Sequence, residues 1–268
     1  MAVLTRDGSV TFFEESIYNE KRDPSRAIME KLLNLIRRSV ESRIRGIGLS
    51  LPSKIDEKRG VVFDLMKIPY WKGLGIKRIL EDEFNTQVWI NNDVNCFILA
   101  EKSYGLCKGF KNILCLNIDC NIVTGLTVDG QLLMGNKHLF NHSKCLSIPC
   151  YDCIRVYKES YVRTIDELGH MCSQFDKDKS FLAEREMWNE LGVLIGRLIS
   201  ILFHNYNFEV VVLGGNLGKS YSKYADSMNT YLEKYIEPQT FIGLVVFASS
   251  VEHPKALGAI SLINPLAM

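Results

Sequence analysis

Residues 90–105 read INNDVNCFILAEKSYG, and this stretch decides the fold. Just before it, residues 88–90 are strand-like, and residues 93–104 read as a helix without a glycine or proline. A strand that runs straight into a helix is an α/β unit, and Asn92 and Asp93 stand at the junction. A carboxylate in that place can face a cleft and accept a hydroxyl proton, a role worth roughly 10²–10⁴ in rate. The other reading of Asp93 is that it caps its helix. The two roles are compatible, and both stay open at this point.

Outward from this junction the same vocabulary repeats. Residues 2–16 read as a hairpin around Arg6-Asp7-Gly8. A helix is expected to start near Asp23-Pro24 and to carry Ile28, Leu32, Leu33, Ile36 and Val40 at helical spacing. Residues 44–51 form a short apolar strand ending at Pro52, followed by a loop and a helix over 74–84. Past Gly105, residues 112–118 read as a buried strand. Residues 122–128 and 131–134 flank Asp129-Gly130 as a second hairpin. A long helix is expected over 181–205, with Met187, Leu191, Leu194, Ile195, Leu198, Ile201 and Leu202 on its core face. A strand over 210–213 then meets Gly214-Gly215. A helix over 220–235, a strand over 241–248 and a helix over 255–263 close the chain. This order predicts two α/β lobes with mixed sheets, residues 1–104 and 105–268, the last helix packing back on the first lobe.

Composition narrows the function. The chain has 268 residues, 24% of them charged, and a formal net charge of +1. That balance argues against a basic nucleic-acid surface or an acidic tail. No apolar run reaches the ~18–20 residues of a membrane span, and no signal peptide is readable, so the expected place is the cytosol. The eight cysteines are not needed as a disulfide framework in a cytosolic chain of this size.

Five blocks, in order, resemble the ROK family of bacterial sugar kinases and sugar-responsive repressors. GIGLSLPS (46–53) is similar to the family's Gly-Ile-Gly-x-Pro-Gly strand, and IPYWKGLGIKRILEDEF (68–84) to its Leu-Pro-x-Trp segment and following helix. INNDVNCFILAEKSYG resembles its Glu-Asn-Asp-Ala-Asn and Ala-Glu helix. VVVLGGN (210–216) and FASSVEHPKALGAISL (247–262) resemble its Gly-Gly turn and closing Gly-Ala-Ala helix. The resemblance implies a two-lobed actin-like, ribonuclease-H-like sugar kinase fold that closes over a sugar and ATP with Mg. It implies that Asp93 is the general base for a sugar hydroxyl and that Asn92 orients one.

Other family positions are altered. The opening Asp-x-Gly-Gly-Thr phosphate loop has no counterpart, so the first strand of the N-terminal lobe is expected to be missing. The second phosphate loop, Gly-Thr-Gly-Ile-Gly in the family, aligns with Asp119-Cys120-Asn121-Ile122-Val123. Glycines there let backbone amides approach phosphate; Cβ-bearing residues obstruct it, and Asp119 adds a repelling charge. Gly125 survives, and Gly214-Gly215 is placed either to approach an adenosine or simply to turn the chain. The family's sugar-facing Glu and His fall on His142 and Cys145, and its Asn falls on Lys67. A structural zinc in the family implies His142, Cys145, Cys150 and Cys153 as ligands here, spaced H-x2-C-x4-C-x2-C. Reduced, vestigial cysteines are the alternative. The expectation is therefore a sugar-binding or regulatory protein with damaged phosphate loops, the alternative being an ATP-dependent hexose or amino-sugar kinase. A homo-oligomer is expected, and direct DNA binding is not, because the sequence starts in the hairpin without a helix-turn-helix.

Overall fold

The computed structural model describes residues 2–4, 10–12, 25–39, 45–64, 69–119, 122–133, 181–241 and 243–263. Among them no helix is long and apolar enough to cross a membrane. The chain divides into two compact units, Met1–Lys108 with Val251–Met268, and Gly109–Ser250.

In the first unit, β1 (Ala2–Leu4) and β2 (Val10–Phe12) pair antiparallel. Helix α1 (Ser25–Ser39) buries Ile28 and Ile36. Strand β3 (Ile47–Leu51) is followed by a hairpin of β4 (Lys54–Asp56) and β5 (Val61–Asp64), where only a loop is expected from the sequence. The hairpin escapes notice because its strands are short and its turn, Glu57 to Gly60, has no Asn-Gly or Asp-Gly pair. Helix α2 (Ile76–Phe84) ends at Asn85, whose φ of 47° is the left-handed cap that asparagine tolerates. Strand β6 (Val88–Asn92) lies parallel to β3 and passes directly into α3 (Asp93–Ser103).

Every residue of α3 from Asp93 to Glu101 is buried, so the helix has no solvated face along that length. Its neighbour is α8 (Pro254–Ser261), and two glycines allow the approach. A Cβ on Gly258 would collide with the Cys96 carbonyl of α3. A Cβ on Gly48 of β3 would collide with the Ala259 carbonyl of α8. Backbone, not a movable side chain, fills both spaces.

The second unit is built on a sheet of order β11-β10-β7-β8-β9. Its strands are β7 (Ile113–Ile118), β8 (Ile122–Val128), β9 (Gln131–Leu132), β10 (Val210–Gly214) and β11 (Val245–Ala248). β7, β10 and β11 run parallel, while β8 and β9 are antiparallel additions, so the sheet is mixed. Every residue of β7 and β10 is buried, as befits central strands covered on both faces. The Asp129-Gly130 turn joins β8 to β9 with both residues at positive φ, 51° and 82°.

Between β8–β9 and β10 lies helix α4 (Phe181–Tyr206). Met187, Leu191, Leu194, Ile195 and Leu202 are buried on it, but Ile201 is 38% exposed. Ile201 sits one residue, about 100°, off the stripe through Leu202, and Ile199 takes the core position instead. After β10 come a four-residue turn of helix, α5 (Gly215–Gly218), then α6 (Ala225–Tyr235). α4 and α6 meet closely because Gly192 and Gly196 fall one turn apart: a Cβ on either would press on the backbone at Tyr224 or Met228. The segment before β11 is not strand throughout. Pro238 starts a helical turn, α7 (Pro238–Phe241), and its fixed φ suits that first position.

Glu209 ties the starts of β10 and β7 together. Its Oε2 accepts the backbone N–H of Lys111 and of Asn112, each at 2.9 Å. These two bonds hold its carboxyl below the usual range. Such a group stabilises the fold above its unfolded pKa, and the contribution disappears as pH falls through the lower folded value. Glu209 is exposed, so the effect is small. Glu209→Gln is expected to lower Tm slightly at pH 7, with the gap to wild type closing as pH falls below the usual carboxylate range; thermal scans across that range check this.

Candidate functional site

The β6–α3 junction is organised by three buried asparagines, Asn91, Asn92 and Asn95. Asn91 Oδ1 accepts the Asn92 N–H at 2.8 Å and the Asn95 side-chain amide at 2.9 Å. Asn92 Oδ1 accepts the Val94 N–H at 2.8 Å, which makes Asn92 the N-cap of α3. Its Nδ2 donates to the Ser53 carbonyl at 3.0 Å, fixing the turn that leaves β3. The simple capping role considered for Asp93 therefore belongs to Asn92. One strand register places the cap, and Asp93 follows as the first helical residue.

Asp93 is 7% exposed. A buried carboxylate needs a partner, and Lys255 supplies one: its Nζ lies 2.9 Å from Asp93 Oδ2. Lys255 is the second residue of α8. The turn that delivers it has His253 at φ 48° and Pro254 at the first helical position. The Lys255 side chain is 44% exposed, so its end meets both Asp93 and solvent. Behind Asp93, burial pushes the Cys96 thiol up to about 12, and the Asp93 charge acts in the same direction. Cys96 is thus a neutral packing group and not a nucleophile.

In the second unit, Asp119 directly follows β7. Its Oδ1 accepts the Asn216 N–H at 2.7 Å, and its Oδ2 accepts the Asn117 side-chain amide at 3.1 Å. Asn216 belongs to α5, after Gly214-Gly215. Gly215 has φ 80°, and a Cβ there would strike the Ile118 carbonyl, so a glycine is required by the turn itself. Gly214 precedes it in extended geometry at the end of β10. Gly125 lies inside β8, opposite Cys115 in the ladder, away from the turn between β7 and β8.

His142, Cys145, Cys150 and Cys153 lie outside the described residues, as do Lys67, Cys120 and Asn121. Among the described residues no group of three or more His, Cys, Asp or Glu side chains could hold a metal ion. Sequence reasoning did not single out Lys255, Asn91 or Asn95. Asn91 and Asn95 flank the quoted pair, and their spacing of four residues was the available signal. Lys255 carries no local signature, because its partner is remote in the chain.

The chain is similar to known proteins in sequence and in fold. A sequence model of the ROK family matches residues 1–142. The chain is 24% identical to a glucokinase of Thermotoga maritima, over 92% of this chain and 87% of that protein. It is 23% identical to a xylose repressor of Bacillus spizizenii over 81% of this chain, but spans only 60% of the repressor. A ROK family protein from Streptococcus pneumoniae, solved in complex with sucrose, superposes with a TM-score of 0.73 at 17% identity. That superposition covers 98% of this chain and 92% of the other, and it shows the α/β, mixed-sheet, actin-like fold of the ROK sugar kinases. With a family match over half its length and the fold in agreement, the chain belongs to the ROK family.

Proposed function

We propose that this ROK chain binds a sugar at Asp93 and acts as a sensor or regulatory protein with little or no phosphoryl transfer. The observation that carries the proposal is the Asp119–Asn216 bond of 2.7 Å. Phosphoryl transfer rests on positioning and on stabilising the phosphates' charge. Here the backbone donor that follows Gly214-Gly215 is already used by a carboxylate of the chain. A polyphosphate brought to that turn meets a fixed negative charge where it needs N–H groups. These residues do not fit the phosphates of ATP, and no phosphoryl-transfer step is assigned to them.

The sugar side has support of a different kind. Asp93 is an acceptor held by a rigid junction, with its cap provided by another residue. Sugar kinases and sugar-responsive repressors are both among the relatives, so a sugar ligand is consistent with either branch. The reading includes a homo-oligomer in the cytosol. An active ATP-dependent hexose or N-acetyl amino-sugar kinase is the second reading, favoured by the Asn92-Asp93 pair.

Thermal scans with hexoses, pentoses and N-acetyl amino sugars, combined with an ADP-release assay, separate the two. The expected result is stabilisation by a sugar, no shift with Mg-ATP, and no turnover. Turnover at the ~1–100 s⁻¹ usual for kinases overturns the proposal in favour of the second reading.

A further inference from the structure

The Asp93–Lys255 pair offers a ligand more than a lone carboxylate does. Asp93 has two oxygens with about four acceptor positions, and Lys255 has three donors, of which the contact at 2.9 Å uses one of each. Among the described residues no other side-chain partner of either group is present. The pair is buried at the Asp93 end and 44% exposed at the Lys255 end. It therefore presents an acceptor and a donor side by side, at the spacing of one hydrogen bond.

Two neighbouring hydroxyls of a sugar in gauche arrangement match this pattern. Their oxygens lie about as far apart as the heavy atoms of a hydrogen bond. One hydroxyl can donate to the carboxylate while the adjacent oxygen accepts from the ammonium. We infer that Lys255 is a second sugar-contacting residue, and that the Asp93–Lys255 pair selects ligands with two adjacent gauche hydroxyls. This inference rests on the sugar-binding reading of Asp93 given above.

The chemistry defines what is refused. A sugar lacking either hydroxyl leaves one member of the pair facing an apolar carbon. A sugar with trans-diaxial hydroxyls cannot span the pair. A protonated amine in the second position meets the ammonium of Lys255. Charged groups make the strong hydrogen bonds, and fully buried sites punish a missing hydroxyl severely. Lys255 is half-exposed and water can replace its lost partner, so a deletion is expected to cost about tenfold in affinity.

Calorimetric titration of the full chain tests the inference. D-glucose, D-xylose, D-mannose and D-glucuronate are compared first, and the tightest neutral sugar is then replaced by its monodeoxy forms. In wild type, loss of either of two adjacent hydroxyls should weaken binding about tenfold. In Lys255→Met one of those two deletions should cease to matter while the other keeps its cost. Lys255→Gln, which retains a donor without the charge, should keep both. If Lys255→Met fails to fold, Lys255→Ala takes its place.

An unchanged deoxy profile without the Lys255 amine overturns the inference and leaves Asp93 as the sugar contact. The same holds if D-glucuronate binds tenfold tighter than every neutral sugar, because Lys255 then attracts anions and does not read a diol. Absence of binding by these four sugars and by N-acetyl-D-glucosamine and N-acetyl-D-mannosamine overturns this inference and the sugar-binding reading together.

Discussion

Gly258→Val is expected to destabilise the unit formed by Met1–Lys108 and Val251–Met268 by about 3 kcal/mol or more. The Cβ alone would collide with the Cys96 carbonyl, and the branched methyl groups add to the overlap. A carbonyl inside a helix cannot turn aside, so α8 must lift off α3. Removing a glycine from a helix interior normally gains up to ~1 kcal/mol from propensity, which is too little to offset the clash. Lifting α8 also withdraws Lys255 from Asp93 and leaves a buried carboxylate unpaired. The measurement is urea unfolding followed by tryptophan fluorescence. Trp71 and Trp89 belong to this unit and Trp188 to the other, so a Trp188→Phe background reports the affected unit alone. A wild-type midpoint in Gly258→Val would show that α8 and α3 are not in contact as described.

Asp93→Asn is expected to weaken sugar binding by about tenfold to a hundredfold while leaving the fold intact. A hydrogen bond to an ionised acceptor is worth about 1.5–3 kcal/mol, and an amide in its place loses most of that. The helix tolerates the change because Asn92, not Asp93, provides the cap. Lys255 loses its counter-ion but is 44% exposed and recovers solvation, so the change in Tm should be a few degrees at most. Thermal scans with and without sugar give both quantities at once. Sugar stabilisation equal to wild type would remove Asp93 from the site. If the chain proves to be a kinase, the same substitution removes the base and should cost about 10²–10⁴ in rate.

The parts of the molecule that were legible share one property: their signal is local. The Asp129-Gly130 turn announces the β8–β9 hairpin, and the apolar runs of β7 and β10 announce buried strands. The Asn92-Asp93 junction can be read because strand and helix adjoin it in the chain. What escaped depends on partners distant in sequence. Gly48, Gly192, Gly196 and Gly258 look like ordinary helix or strand weaknesses until the backbone they admit is seen. Lys255 looks like a solvated surface lysine until α8 is laid on α3. The cap moved from Asp93 to Asn92 because two adjacent polar residues can each serve, and only the strand register of β6 decides between them. Ile201 shows the same limit at smaller scale: an apolar residue one place from the stripe is indistinguishable from a core residue by hydrophobicity.

The return of α8 to the first unit has a consequence for biosynthesis. That unit is made of two stretches of chain, with all of Gly109–Ser250 between them. A ribosome delivers residues in order, and domains fold as they emerge. The inserted unit is complete before Pro254 has been added to the chain. Until then β3 and α3 wait with Gly48 and Cys96 uncovered, although both precede the inserted unit in the chain. The earlier of the first unit's two stretches is therefore among the last parts of the molecule to reach its final packing.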